Sequence, residues 1–231
     1  MAANQIKVYL CPTPTPTPVI SYGILQQKAA GAIIITASHN PALWNGFKVK
    51  SEEGTTAPPE VEADIESRLP EIIAQDRVKR LPLNEGLSQG LIEYLDLAPA
   101  YLRHLAQLID LGKLRQAGLK IVVDSMFGAG AGYFKRLLQG GKTEVVEING
   151  ERNPLFPGIR PEPISPHLSR LSTLVRENRA DVGLATDGDA DRLGIIDEKG
   201  NPLTPLQIFA LLALYLLEVQ GERGPIVKTL T

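Results

Sequence analysis

The sequence predicts an α/β fold, arranged as two consecutive three-layer α/β units with mixed, mainly parallel sheets. Short β-branched runs alternate along the chain with stretches whose apolar residues recur at helical spacing. The 18 prolines and 21 glycines gather at the ends of those runs, as expected where many short elements meet tight connections. At 43% hydrophobic residues, a chain of 231 can bury one or two cores, taking roughly 100–200 residues per domain.

The elements follow in order. Ile6 to Leu10 reads as a strand, stopped by the Pro-Thr run from Pro12 to Pro18, which removes backbone donors and forms a rigid loop. Val19, Ile20, Ile24 and Leu25 mark a helix, and Gly31 to Ile35 is an apolar run of strand length. Strand, helix and strand normally make a parallel pair joined by a right-handed crossover, with ligands gathering beyond the carboxyl ends of the strands. Thr36 to Pro41 lies at that end. A second series begins with a helical pattern over Pro99 to Leu111 and the strand Leu119 to Asp124. It continues through a glycine-rich turn, a helix near Tyr133 to Leu138, the strand Glu144 to Ile148, a proline-rich loop, a helix from His167 to Asn178 and the strand Asp181 to Ala185. A boundary near residue 93 separates the two series, and the helix Pro205 to Val219 opens a third unit.

Composition narrows the partners. Twenty-four basic against 26 acidic residues, evenly spread, make neither a nucleic-acid nor a membrane surface, so small molecules are expected. The lone Cys11 has no disulfide partner, and no signal-like segment opens the chain, which favours the cytoplasm. The longest apolar run, Ile208 to Leu217, is about half of the ~20 residues of a membrane span.

Asp187, Asp189 and Asp191 stand at alternate positions directly after a strand. Neither a helix nor an extended strand puts all three on one ion, whereas a curled loop does, and Gly188 and Ala190 are small enough to permit the curl. Three convergent carboxylates repel one another, and a hard divalent cation relieves that repulsion. A solvated acidic turn is the bland reading. Calcium in an EF-hand is a second, since Glu198 stands at position 12 counted from Asp187; Leu193 to Ile196, however, reads as a buried strand.

Ser38 lies just past the strand Gly31 to Ile35, beside His39. Alone, it reads as a capping serine. A hydrolase elbow would need G-x-S-x-G, which ASHNP lacks, and adjacent residues seldom form a nucleophile–base pair. A phosphoserine explains more: its phosphate needs a cation and basic side chains, for which the aspartate loop, Arg192 and Lys48 are candidates. Gly128, Gly130 and Gly132 do not complete G-x-G-x-x-G, so that stretch reads as a structural turn. His104 and His167 have no metal-spaced partners.

TASHNP, NGFK at Asn45 to Lys48 and DGDADR at Asp187 to Arg192, together with the flanking CPTPTPTP and NPLFPGIRPEP, resemble the α-D-phosphohexomutase family, particularly its bacterial phosphoglucomutase/phosphomannomutase branch. The resemblance covers nearly the whole chain. It implies four domains around a cleft and an isomerase that moves phosphate between the 1 and 6 positions of a hexose in carbohydrate metabolism. By that likeness Ser38 is the phosphoserine, which donates to a hexose 1- or 6-phosphate and gives a hexose 1,6-bisphosphate. Asp187, Asp189 and Asp191 bind magnesium with the Ser38 phosphate, Arg192 contacts that phosphate, and Lys48 with His39 assists proton transfer. Phosphoryl transfer depends mostly on such positioning and charge. The same likeness assigns residues 1–92 to the later part of a first domain carrying the phosphoserine loop, 93–203 to a second domain carrying the metal loop, and 204–231 to the start of a third. Because the family's opening arginine loop, its sugar-selecting loop and its fourth domain find no counterpart, a fragment is expected, with first and third domains incomplete, without robust turnover, and with strand edges that favour self-association. Three alternatives stand beside it: a magnesium- and phosphate-binding module without turnover, a phosphoglucosamine mutase relative, and an aspartyl-phosphate enzyme with Asp187 as nucleophile.

Overall fold

The computed structural model describes residues 1–228. After a single 3-10 turn, strand β1 (Val8–Leu10) runs into the Pro-Thr loop, and helix α1 (Thr17–Gln27) begins with Pro18 in its first turn, where a missing N–H is harmless. Strands β2 (Ala32–Ile35) and β3 (Phe47–Lys50) follow, then helices α2 (Pro59–Ala74) and α3 (Leu83–Ser88) and strand β4 (Ile92–Tyr94).

The expected parallel pairing of the first two strands does not occur. β1 pairs in parallel with β4, while β2 pairs antiparallel with β3, with Ile34 opposite Lys48. The β2–β3 hairpin aligns Ile33 and Ile35 with Val49 and Phe47 on one face, and its other face carries the buried Ile34 beside Lys48. Residue 93 falls inside β4, whose bonds to β1 tie it to the first unit.

The second series follows its sequence pattern closely. Helices α4 (Ala98–Leu108) and α5 (Leu111–Gln116) precede strand β5 (Lys120–Asp124), helix α6 (Tyr133–Leu138), strand β6 (Glu144–Ile148), helix α7 (Ser169–Asn178) and strand β7 (Val182–Thr186). Strands β8 (Leu193–Ile196) and β9 (Pro202–Leu203) complete a mixed sheet of order β6-β5-β7-β8-β9, parallel across β6, β5 and β7.

Alternation along β5 builds three layers. Val122 points into a cluster with Leu171 and Val175 of α7, Ala185 and Ile196, whereas Ile121 and Val123 face Leu138 and Phe134 of α6. Gly183 lets α7 approach β7, because a Cβ there would lie 2.7 Å from Val175 Cγ2. Helix α8 (Pro205–Leu214), started by a capping box between Thr204 and Gln207 and continued by a π turn, has no buried residue. Of the expected third unit, residues 229–231 lie outside the described residues. No helix among the described residues is long and apolar enough to cross a membrane.

Leu171 is fully buried at the centre of the α7 cluster. Truncation by Leu171→Ala is expected to lower unfolding free energy by about 2–5 kcal/mol, read from urea denaturation. A loss below ~1 kcal/mol would show that this cluster is not the core of the unit.

Candidate metal centre

Two loops meet at the carboxyl ends of β2 and β7. The first leaves β2 at Thr36, whose hydroxyl accepts a hydrogen bond from the Ser38 amide at 2.7 Å. Ser38 takes a left-handed φ of 54°, which turns the chain sharply under its own hydroxyl. The second loop leaves β7 at Thr186 and curls through Asp187 to Asp191.

The curl works differently from the sequence expectation. Ala190, at φ 55°, makes the left-handed turn, and Gly188 is needed for space. A Cβ on Gly188 would collide with the Ser38 carbonyl oxygen. Behind the loop, Ala129 N–H donates to Gly188 O at 2.9 Å, and a Cβ on Gly128 would come within 2.7 Å of that oxygen. The glycine-rich turn is therefore structural, as expected, with the specific task of holding the aspartate loop.

Ligand oxygens of Asp187, Asp189 and Asp191 lie within 4.8 Å of one another, with the first two residues buried. Ser38 Oγ–H donates to Asp187 Oδ2 at 3.1 Å across 149 residues of chain. The other oxygen of Asp187 accepts from the amides of Asp191 and Arg192, both at 3.0 Å. Asp189 Oδ2 accepts from Thr17 Oγ1 at 3.0 Å and from Lys48 Nζ at 2.8 Å, and Lys48 reaches Asp191 Oδ2 at 2.7 Å. Asp189 Oδ1 is buried and accepts no hydrogen bond from the described residues. A buried carboxylate oxygen without a donor is costly, and a divalent cation among three oxygen ligands removes that cost. The donor set thus fits a hard metal ion.

The site's charges are strongly interdependent. Burial pushes the Asp187 carboxyl up to about 6, and the charges of Asp189 and Asp191 push the same way, against hydrogen bonds from the Arg192 amide and Ser38. Burial also pushes Asp189 upward, but Lys48 and Thr17 outweigh it and hold that carboxyl below the usual range. For Lys48, burial opposes the charge, yet its bonds to Asp189 and Asp191 raise its pKa above the ordinary value.

Around this centre, His39 Nδ1 lies 3.4 Å from Ser38 Oγ and Arg192 Nη1 3.9 Å from Glu162 Oε1. Ser38, His39, Lys48, the three aspartates and Arg192, the site candidates of the sequence, stand in or beside one cluster. Sequence reasoning missed Thr17, Arg160 and Glu162. Thr17 was hidden in the Pro-Thr repeat; the other two were signalled only by being charged residues inside an otherwise apolar, proline-rich loop. A cleft of about 650 Å³ adjoins the centre, lined by Ser38, Asp189, Trp44, Tyr133, Arg136 and Arg152. His104 stacks on Tyr22 with ring centroids 4.6 Å apart, away from any group of metal-binding side chains found among the described residues.

Residues 1–76 match the family description "Phosphoglucomutase/phosphomannomutase, alpha/beta/alpha domain I", and residues 99–200 match its domain II. A curated relative from Methanothermobacter thermautotrophicus, named as a phosphoglucosamine mutase, is 33% identical over 93% of this chain and 48% of its own length. Another from Thermococcus kodakarensis, named as a phosphopentomutase, is 32% identical over 92% of this chain and 45% of its own. A solved structure from Thermus thermophilus, named as a phosphomannomutase, superimposes with a TM-score of 0.84 at 36% identity, covering 96% of this chain and 49% of that one. The chain spans about half the length of the curated relatives it matches.

Two outcomes follow from the packing and the charges. Gly188→Ala is expected to lower stability by about 1–3 kcal/mol, since its methyl group must displace backbone, whereas Gly224→Ala, with nothing within 4 Å, leaves it unchanged. Thermal unfolding of both checks this. Asp187 has a folded pKa of about 6 against an ordinary 3.8, so its contribution to stability is fully present below 3.8 and lost as pH rises to about 6. Protons also compete with a cation for this carboxylate. Divalent-ion affinity is therefore expected to weaken as pH falls below about 6, and calorimetric titrations on either side of that value test it.

Proposed function

The chain belongs to the α-D-phosphohexomutase family, in its phosphoglucomutase/phosphomannomutase branch, and from that premise we propose that its residues form the phosphoserine and magnesium halves of a hexose-phosphate mutase site. In this reading Ser38 carries the phosphoryl group, and Asp187, Asp189 and Asp191 hold magnesium together with the Ser38 oxygen. Arg192 binds the phosphate, while His39 and Lys48 move protons. Hexose 1- and 6-phosphates are the substrates and hexose 1,6-bisphosphate the intermediate. Magnesium, when bound, supplies charge that stabilises the transferring phosphoryl group.

The observation that carries this reading is the 3.1 Å contact between Ser38 Oγ and Asp187 Oδ2, which sets a transferable hydroxyl against a three-carboxylate ligand set. Magnesium is favoured over calcium because β8 interrupts the loop. Glu198, the twelfth residue, lies beyond that strand and within 4.0 Å of Lys199 Nζ. Lys48 neutralises Asp189 and Asp191 by direct ion pairs, so its ammonium is held at the mouth of the site for proton transfer to a sugar oxygen.

The same reading places the boundary between the first two domains after Tyr94, so that β1 and β4 stay together, and the protein in the cytoplasm. Self-association is supported by β1 and β2, each of which bonds a single neighbour among the described residues, and by the exposed side chains of Ile33, Ile35 and Phe47.

Glucose 1,6-bisphosphate with magnesium is expected to leave one phosphate on Ser38, read by intact mass and peptide mapping, and Ser38→Ala to abolish it. An acyl phosphate on Asp187, or no modification, would overturn the assignment. Asp189→Asn is expected to weaken magnesium binding at least ~10-fold with the fold retained, by titration calorimetry, since even the groups that orient metal ligands are worth that much.

A further inference from the structure

We propose that Glu162 is a positioning residue for the Ser38 site, fixing His39 with its ring proton on Nε2 and its Nδ1 lone pair toward the serine hydroxyl. This deepens the phosphoserine reading and rests on it. Glu162 sits in the proline-rich loop between β6 and α7 with its side chain 15% exposed. Its Oε1 faces two groups, His39 Nε2 and Arg192 Nη1, each at 3.9 Å, and its Oε2 lies 3.3 Å from Arg160 Nε. Arg160 Nε–H in turn donates to the His39 carbonyl at 3.2 Å. One carboxylate thereby reaches the ring of His39 directly, its backbone through Arg160, and the side chain of Arg192.

Both ring nitrogens of His39 have defined neighbours. Nε2 looks at a carboxylate oxygen, which only accepts, and Nδ1 lies 3.4 Å from Ser38 Oγ. With the proton on Nε2 the ring turns its N–H toward Glu162 Oε1, 3.9 Å away, and its Nδ1 lone pair toward the hydroxyl. The other tautomer would aim a lone pair at the Glu162 carboxylate and would put an N–H, which takes up no proton, against the hydroxyl that Asp187 Oδ2 already accepts from. These spacings are looser than hydrogen bonds, as catalytic contacts are before a substrate closes the site. Adjacent residues seldom pair in this way; here the left-handed turn at Ser38 brings the two side chains to one side. When a sugar bisphosphate donates its phosphoryl group, the Oγ–P bond forms, the donor's ester P–O bond breaks, and the Ser38 proton moves to Nδ1. The released sugar oxygen takes a proton from Lys48 Nζ.

A purely structural glutamate would neutralise Arg160 and Arg192 without governing the imidazole. Long-range proton–nitrogen NMR of the ¹⁵N-labelled chain separates the two roles. The protein has three histidines, so the His39→Ala spectrum assigns the ring. In the wild-type chain the neutral ring is expected to carry its proton on Nε2, and in Glu162→Ala to become a mixture of tautomers, with the backbone amide spectrum showing the fold intact. A proton on Nδ1 in the wild type, or an unchanged ring in folded Glu162→Ala, overturns the proposal. Should that variant fail to fold, the wild-type tautomer decides alone. Phosphorylation of Ser38 by glucose 1,6-bisphosphate is expected to slow about tenfold or more in Glu162→Ala, with little change in the donor concentration for half-maximal rate and partial recovery in Glu162→Asp. An unchanged rate counts against the proposal. A wild-type chain that takes no phosphate but shows the Nε2 proton would sink the mutase reading and leave Glu162 in its role.

Discussion

Three carboxylates brought within 4.8 Å of one another, two of them buried, set the constraint to which the rest of the molecule answers. Each must lose water, and each raises the energy of the others. The chain meets that cost in parts. Asp187 receives two backbone amides and a hydroxyl, Asp189 a buried threonine and a lysine, and Asp191 the same lysine. One buried carboxylate oxygen of the set, Asp189 Oδ1, finds no donor among the described residues. Thr186 Oγ1, at the start of the same loop, is buried without a partner too, but only the carboxylate oxygen belongs to a set of three ligands that fits a cation.

The donors come from far away in sequence. Thr17, Ser38 and Lys48 belong to the first unit, whereas the aspartates belong to the sheet of the second. The electrostatics of the site and the docking of the two units are therefore one problem. Backbone packing agrees: the Thr17 amide donates to Asp189 O at 2.9 Å, and Gly188 leaves room for the Ser38 carbonyl. Gly128 and Ala129 press from the opposite side. The aspartate loop is clamped between a turn of its own unit and a loop of the other, which favours fixed ligand geometry over an adaptable one.

How much of this the sequence disclosed depends on the range of each interaction. The second unit was legible because β5 and β6 carry β-branched residues in runs of strand length, β5 buried from Ile121 to Asp124, β7 is a short run of small and apolar residues, and α7 repeats its apolar residues at helical spacing. Its helix Tyr133–Leu138 and strand Glu144–Ile148 coincide with the reading from pattern alone. Pairing in the first unit was less legible. Period and propensity identify β1 and β2 as strands, but which strand each pairs with is settled by long-range contacts that leave no local mark. β4 has three residues, and α2 buries none, so neither gave a pattern to read. The aspartates, Ser38 and Lys48 were legible for the opposite reason: a three-carboxylate alternation has few physical purposes, and the motifs around it resemble a family.

Thr17 and Glu162 escaped because their chemistry exists only in the folded state. A threonine in a Pro-Thr repeat is one of three alike until α1 begins at Thr17 and turns that hydroxyl under Asp189. Glu162 looks like a solvated charge until Arg160 of its own loop and His39 and Arg192 of two others converge on it. Both touch groups of the candidate centre: Thr17 donates to a carboxylate of the three-aspartate set, and Glu162 faces an imidazole and an arginine. Sequence motifs mark the residues that must be one particular type, since a metal ligand has few substitutes. The residues that hold them are chosen by geometry, and any side chain of the right reach and charge qualifies. The second kind becomes visible only when distances are known, and a motif-based reading of this site will therefore always stop one layer short of what keeps Ser38 and Asp187 facing each other.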